Sequence, residues 1–135
     1  MDWIEPGLAV GNLDDAMAHD MLRESGIKSV LTLNGFPNLA VHGFNWRRVD
    51  LFDGPGNSLD TIWEAVDLLA DLHTSDPNVL VHCREGKSRS VLIASLYVAR
   101  RDRIVFPEAF RMVKASRRVA EMDPRLWQIG LDLAP

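Results

Sequence analysis

Apolar residues in this chain recur at two spacings, which together predict strands that alternate with helices. Short apolar or β-branched runs bounded by turn residues predict strands within WIEPGLAVG, IKSVLTLN, FNWRRVDL and NVLVHC, the first forming two strands around a Pro-Gly turn. Apolar positions three and four residues apart predict helices within LDDAMAHDMLRESG, LDTIWEAVDLLADLH, PEAFRMVKASRR and PRLWQIGLDL. SVLIASLYVAR is apolar nearly all round, which predicts a buried helix.

The alternation of strands and helices favours one fold class. We expect an α/β fold in which residues 1–135 form a single compact domain, with a mostly parallel central sheet flanked by helices. NVLVHC has the continuous apolar character of a central strand in such a sheet. The tryptophans fall at apolar periodic positions, so all four are predicted to lie in the core: Trp3, Trp46, Trp63 and Trp127.

The segment that joins the predicted central strand to the buried helix has the composition of an anion-binding loop. A helix N-terminus leaves several backbone N–H groups without partners, and the helix dipole adds positive charge there. Gly86 permits the left-handed backbone that a loop wrapped around an anion usually needs, and Arg89 offers a bidentate guanidinium. We therefore expect a phosphate site formed by Arg84, Glu85, Gly86, Lys87, Ser88 and Arg89.

Cys83, the only cysteine in the chain, lies at the base of this loop. The groups that hold a phosphate dianion also stabilise a thiolate, which is the nucleophilic form of cysteine. A strand places His82 on the face opposite Cys83, so we expect His82 to make a hydrogen bond beneath the loop. Ser90 is expected to hydrogen-bond Cys83 and to ease the departure of the thiolate from a phosphocysteine.

Composition and charge limit the classes of partner. Residues 1–76 carry four Lys or Arg and thirteen Asp or Glu, a net charge of −9, whereas residues 77–135 carry eleven and six, a net +5. The positive half holds the predicted loop and favours an anionic ligand, but the overall pI of 5.5 argues against a nucleic-acid binder.

The same composition bears on the compartment and on metal binding. No apolar run is long enough for a membrane span and no signal peptide is evident, so we expect no stable membrane insertion. A single cysteine predicts a free thiol in a reducing, cytoplasmic compartment. Four scattered histidines without ligand spacing predict no metal site.

VHCREGKSRS resembles the signature loop of the cysteine-dependent protein tyrosine phosphatase superfamily: His-Cys, five residues, then Arg and Ser or Thr. More narrowly, it resembles the dual-specificity phosphatases, and IEPGLAVGNLDDA, LRESGIKSVLTL and RLWQIGL are similar to other segments of that family. The resemblance implies hydrolysis of phosphotyrosine, phosphoserine and phosphothreonine proteins through a phosphocysteine, without a cofactor. We expect the enzyme to act as a monomer.

The resemblance also implies a general acid, an Asp about thirty residues before the cysteine. RRVDLFDGPGNSLD offers two candidates, Asp50 and Asp53. Asp53 lies thirty positions before Cys83 and opens the Gly-Pro loop, so we expect Asp53 to protonate the leaving group. Asp50 is expected to make a structural hydrogen bond or to face solvent.

The cations of the loop leave substrate choice open. Phosphoinositide phosphatases of the superfamily often have basic residues at the positions of Arg84 and Lys87, whereas Glu85 offsets part of that charge. A protein phosphatase is therefore the first hypothesis, a phosphoinositide or other small phosphate-ester phosphatase the alternative, and a non-catalytic phosphate-binding module the third. Arg117 matches a position where related enzymes have an arginine near the pocket; a contact with a second phosphate and plain solvation both remain open.

Overall fold

The computed structural model describes residues 1–34 and 43–134. Within these residues, one sheet has the strand order β1-β2-β5-β3-β4. The strands are β1 Asp2–Glu5, β2 Leu8–Gly11, β3 Ser29–Thr32, β4 Asn45–Arg48 and β5 Val79–His82. β1 pairs with β2 in antiparallel orientation, and the other three pairs are parallel, which confirms the predicted mostly parallel sheet.

Helices cover both faces of this sheet. They are α1 Leu13–Met17, α2 His19–Glu24, α3 Leu59–Ser75, α4 Arg89–Asp102, α5 Phe106–Ser116 and α6 Pro124–Leu133. Residues of the central strand β5 alternate between two apolar cores, since successive strand residues face opposite sides. Val79 and Val81 pack in the larger core with residues of α3 to α6, and Leu80 packs with Ala16 and Leu22 of α1 and α2. No helix in the described part of the chain has the length and apolar character needed to cross a bilayer.

Helix α4 is the element that positions the predicted loop. Its residues 90–99 are all buried, as the uninterrupted apolar pattern of SVLIASLYVAR predicts. A helix buried on all sides cannot shift without disturbing the core, so its N-terminus at Arg89 is held rigidly behind β5.

The prediction of one helix over LDDAMAHDMLRESG is wrong. The chain breaks at Ala18, where ψ is 66°, and forms the two short helices α1 and α2. In a continuous helix, residues six positions apart point about 120° away from each other. The break at Ala18 allows Ala16 and Leu22 to pack in the same apolar core.

The prediction that all four tryptophans lie in the core is also wrong. Trp3 lies on the edge strand β1 with 41% of its surface exposed. Trp46, Trp63 and Trp127 are partly buried and pack against the cores from outside. Apolar periodicity identifies a face of an element, but it does not reveal whether a neighbouring element covers that face.

Candidate active site

The loop of residues 83–88 runs from the end of β5 to the start of α4. β5 is hydrogen-bonded on both sides, to β2 and β3, so the loop begins at the centre of the sheet. Cys83, its first residue, is 2% exposed. The sequence therefore correctly predicts a cysteine loop between a central strand and a buried helix.

The carbonyl groups of the loop are held on its outer side by three donors. These hydrogen bonds are Leu13 N–H to the Arg84 oxygen (3.0 Å), Arg117 Nε–H to the Gly86 oxygen (2.6 Å) and Glu121 N–H to the Lys87 oxygen (2.9 Å). In a planar trans peptide the N–H points away from the C=O of the same unit. The amides of Glu85, Lys87 and Ser88 therefore point away from these donors, and all three residues line the cavity. A set of convergent amides of this kind binds anions.

Gly86 has a backbone that only glycine readily adopts. Its φ is +68°, and a Cβ there would lie 2.5 Å from the Gly11 carbonyl oxygen. This close approach brings the Gly86 N–H to 3.3 Å from the Cys83 sulfur, to which it donates. The Ser90 hydroxyl lies 3.2 Å from the same sulfur, which confirms the predicted hydrogen bond. The Gly86 amide, a hydroxyl that is able to donate and the N-terminus of α4 thus surround the sulfur atom.

Arg89 has hydrogen-bonding capacity left for a ligand. Its Nη1 donates to the Leu51 carbonyl oxygen at 3.1 Å, which links the side chain to the segment just before Asp53. Its Nε is buried and has no partner among the described residues. An unpaired buried donor is costly, so this Nε–H favours an acceptor close to Arg89, which lines the cavity of Cys83.

His82 is fully buried beneath the loop and bonded on both ring nitrogens. Nδ1 lies 3.2 Å from the Cys83 carbonyl oxygen, which can only accept, so Nδ1 carries the proton. Nε2 then accepts from the Thr32 hydroxyl at 2.7 Å. Burial lowers the pKa of His82 to about 4, and this neutral imidazole fixes the first peptide of the loop. The predicted bond beneath the loop is confirmed.

We expect His82 to make the fold sensitive to acid. Its folded pKa of about 4 lies below the ordinary 6.5, so the unfolded chain binds a proton first as the pH falls. The stabilisation is complete above about pH 6.5 and is lost progressively towards pH 4, by about 3 kcal/mol in all. Urea unfolding at several pH values should show the stability difference between wild type and His82→Asn shrinking by that amount. A difference that stays constant across this range would contradict the assignment.

Asp53 lies on a loop that the Asn57 side chain closes. Asn57 Oδ1 accepts from the Phe52 N–H, and Nδ2 donates to the carbonyl oxygens of Phe52 and Gly54, at 2.8, 2.8 and 3.2 Å. Ser58 then caps α3, because its hydroxyl accepts from the Thr61 N–H. Asp53 lines the same cavity as Cys83. The glycines and the proline of this segment predict a loop. The loop-closing role of Asn57 was not predicted, although an Asn at the end of such a loop is a turn signal.

Asp50, the other candidate acid, lies outside this cavity lining. It is exposed and forms a two-point ion pair with Arg48, with N–O distances of 2.8 and 2.9 Å. The hydrogen bonds from Arg48 lower the pKa of Asp50, which keeps this carboxylate ionised. An ionised, paired carboxylate is a poor proton donor, so the geometry favours Asp53 over Asp50.

The cavity above Cys83 has a volume of about 440 Å³. Its walls are formed by the loop, the Asp53 segment and the chain before α6: Asp53, Cys83, Arg84, Glu85, Lys87, Ser88, Arg89, Glu121, Met122, Asp123 and Pro124. Arg84 and Glu85 are exposed, and Lys87 is half-buried. Ser88 is buried, and its hydroxyl accepts from the Asp123 N–H at 2.9 Å, so it connects the loop to α6. Neither Gly86 nor Ser90 is among the lining residues; both are buried behind them.

Arg117 occupies a place that neither sequence hypothesis anticipated. It is 5% exposed and lies behind the loop, where it bonds the Gly86 carbonyl oxygen and the Asp2 carboxylate. A buried, paired guanidinium is neither a solvated surface group nor a contact for a second phosphate. Its partners are 31 and 115 positions away in sequence, so no local pattern could have indicated this role.

Across residues 1–34 and 43–134, no three His, Cys, Asp or Glu side chains come together in a way that could hold a metal ion. The positive groups that face the cavity are the side chains of Arg84, Lys87 and Arg89 and the loop amides. The chemistry available at the site is therefore that of an anion-binding pocket with one sulfur nucleophile, and Asp53 is one of four carboxyl groups in its lining, with Glu85, Glu121 and Asp123.

Curated proteins similar to this chain include several dual specificity phosphatases. Dual specificity phosphatase 28 of Mus musculus is 31% identical over 126 residues, which cover 92% of this chain and 77% of that protein. Dual specificity protein phosphatase 12 of Rattus norvegicus is 28% identical over 134 residues, 95% of this chain but 40% of that protein. The chain thus spans less than half the length of some curated relatives.

A solved structure and a family model agree with these relatives. The crystal structure of human DUSP28 superposes with a TM-score of 0.85 and 26% identity, covering 98% of this chain and 96% of that one. Residues 8–129 match the family described as dual specificity phosphatase, catalytic domain, and these residues contain the whole Cys83 loop and Asp53. The chain therefore belongs to the dual specificity phosphatase family and carries its catalytic domain.

Proposed function

We propose that this chain is a cysteine-dependent phosphomonoester hydrolase that acts on phosphotyrosine, phosphoserine and phosphothreonine proteins through a phosphocysteine intermediate. The observation that carries the proposal is the surroundings of one sulfur atom. Cys83 Sγ lies within hydrogen-bonding distance of the Gly86 amide and the Ser90 hydroxyl, at the base of a cavity that Arg89 and Asp53 also line. Family membership supports the same reaction class.

In the first step, the Cys83 thiolate attacks phosphorus from the side opposite the leaving oxygen. The S–P bond forms as the P–O bond to the substrate breaks, and the Asp53 carboxyl group gives its proton to the departing oxygen. Arg89 Nε–H and the loop amides bind the three equatorial oxygens, on which the negative charge is spread. These donors are preformed, so no reorganisation is needed as the charge moves.

In the second step, water hydrolyses the phosphocysteine. The Asp53 carboxylate takes a proton from the water, an O–P bond forms, and the S–P bond breaks with its electrons returning to sulfur. The Gly86 N–H and the Ser90 hydroxyl stabilise the thiolate that leaves. Inorganic phosphate is released, and the cycle needs no metal or cofactor because Arg89 and the amides meet the charge.

The partner in this proposal is a phosphorylated protein or peptide, and the catalytic unit is a monomer. The reaction requires a reduced Cys83, so we place the enzyme in a reducing compartment, the cytoplasm. Detection of the tagged protein in an oxidising secretory compartment would contradict that placement.

Phosphoinositide hydrolysis is the second candidate, because Arg84 and Lys87 both line the cavity. Two cations at the rim suit a ligand with several phosphates. Glu85 lines the same cavity and opposes that charge, which favours a ligand with a single phosphate.

A substrate panel tests this order. We expect wild type to hydrolyse phosphotyrosine and phosphothreonine peptides with a larger kcat/KM than phosphoinositide vesicles, and Lys87→Ala to change peptide kcat/KM by less than about fivefold, as for a rim charge. Lys28→Ala, at an exposed lysine outside the cavity lining, is the matched control. If wild type hydrolyses phosphoinositide vesicles faster than the peptides, and Lys87→Ala selectively loses the vesicle activity, phosphoinositide hydrolysis would be favoured. Binding of phosphate without turnover of any substrate would leave only a binding module.

A further inference from the structure

We propose that Arg117 is a positioning residue, which sets the orientation of the Gly86–Lys87 peptide so that the loop can bind a phosphoryl group. The inference rests on the proposed phosphatase function, and it adds to that function a residue outside the signature loop. Arg117 lies at the C-terminal end of α5 and is not among the residues that line the cavity.

The Arg117 guanidinium makes three hydrogen bonds behind the loop. Nε donates to the Gly86 carbonyl oxygen at 2.6 Å, and Nη1 donates to the Asp2 carboxylate at 2.8 Å and to the Val10 carbonyl oxygen at 3.4 Å. The Arg117 side chain is 6% exposed, whereas Asp2 is 42% exposed. A buried cation is costly unless it is paired and hydrogen-bonded, and these partners meet that condition.

The short hydrogen bond from Arg117 to the Gly86 carbonyl oxygen affects two backbone N–H groups, those of Lys87 and Gly86. Since the peptide is planar, holding the Gly86 C=O towards Arg117 turns the Lys87 N–H the other way, towards the cavity that Lys87 lines. The N–H of Gly86 itself donates to the Cys83 sulfur at 3.3 Å. One residue therefore connects Arg117 both to an anion-binding amide and to a donor on the nucleophile.

The contact between Arg117 and the loop requires glycine at position 86 and arginine at position 117. A Cβ on residue 86 would lie 2.5 Å from Arg117 Nη2, so glycine at this position gives the guanidinium its approach. The planar fork of arginine reaches the loop through Nε while Nη1 bonds Asp2 and Val10. Lysine has one nitrogen and cannot reproduce this bridge.

A purely structural role for Arg117 makes a different prediction. If Arg117 only stabilised the fold, its loss would lower the fraction of active molecules. Apparent kcat would then fall in proportion, while KM and the inhibition constant of an oxyanion would be unchanged. If Arg117 positions the loop, the molecules that remain folded bind the oxyanion more weakly.

The experiment compares Arg117→Lys and Arg117→Met with Arg118→Met, a matched change at the adjacent, exposed arginine. For an aryl phosphate, we expect kcat/KM to fall by about 10- to 100-fold in both Arg117 variants, the size of effect that a small misplacement of reacting groups produces. The inhibition constant of vanadate should rise by at least about fivefold, and Arg118→Met should match wild type. Folded Arg117 variants with wild-type KM and vanadate inhibition would overturn the proposal.

Two further measurements keep the test decisive. If the Arg117 variants do not fold, Asp2→Ala releases the far side of the guanidinium from a half-exposed position, and we expect a several-fold rise in the vanadate constant. Calorimetric binding of inorganic phosphate separates the two proposals because it needs no turnover. If wild type binds phosphate but hydrolyses no ester, the proposed phosphatase function is refuted. If wild type and the Arg117 variants bind phosphate with equal affinity, the proposed role of Arg117 is refuted. If the Arg117 variants do not fold, equal affinity in wild type and Asp2→Ala refutes that role.

Discussion

Replacing Cys83 by serine is expected to abolish turnover, lowering kcat by about 10⁴-fold or more. The substitution exchanges one atom, sulfur for oxygen, at a buried position. A hydroxyl ionises far less readily than a thiol, so the amide and hydroxyl donors around Sγ cannot produce a comparable nucleophile. The loop should keep its fold and its affinity for phosphate.

The measurement combines steady-state and trapping experiments. Turnover of an aryl phosphate should fall below detection in Cys83→Ser, while thermal unfolding and phosphate binding stay close to wild type. Acid quenching during turnover of a ³²P-labelled phosphotyrosine peptide should leave label on wild-type protein and none on Cys83→Ser. Residual activity above about 1% in the folded variant would show that another group performs the attack.

Replacing Asp53 by asparagine is expected to lower kcat by about 10² to 10⁴, the usual contribution of general acid catalysis. Asparagine keeps the shape of the side chain but has no acidic proton to give. The enzyme should be slow rather than inactive, because Cys83, Arg89 and the loop amides remain in place. Asp50→Asn is the matched control, since Asp50 lies three residues away and pairs with Arg48 outside the cavity lining.

The identity of the leaving group separates acid catalysis from a structural effect. Phenols that leave readily need little protonation, so the loss in Asp53→Asn should be smallest for p-nitrophenyl phosphate and largest for phenyl phosphate. A loss that is equal for both esters would mean that Asp53 acts on the fold of its loop. A comparable loss in Asp50→Asn would transfer the acid role to that residue.

The site could be predicted from the sequence as far as its geometry is local. The cysteine, the glycine and the arginine of the loop lie within seven residues, and a strand followed directly by a buried helix brings their backbone groups together. The hydrogen bond between Cys83 and Ser90 follows from the same short segment. Only the family resemblance indicates Asp53, because nothing in the intervening thirty residues specifies that a distant carboxyl group lines the cavity of Cys83.

Other features were not predicted, because each depends on how the folded chain arranges groups around a residue and not on the periodicity of its segment. The Asn57 side chain closes its loop only when Phe52 and Gly54 present their backbone in the folded turn. The break at Ala18 lets Ala16 and Leu22 pack in the same apolar core, on the sheet face that Leu80 occupies. The periodicity of that segment does not indicate the break. Trp3, on the edge strand β1, is 41% exposed, and whether another element covers an apolar position is not a property of its own segment.

By itself, the sequence determined the alternation of strands and helices, the position of the loop between β5 and α4, and the residue types that an anion and a nucleophilic sulfur require. These follow from side-chain periodicity and from the unpaired amides of a helix N-terminus, both of which are properties of short segments. Only the tertiary structure decided which groups hold the loop from behind: Leu13, Arg117 and Glu121. Their bonds to the loop carbonyls join segments separated by 31 to 71 positions, and such contacts form only when the whole core is packed.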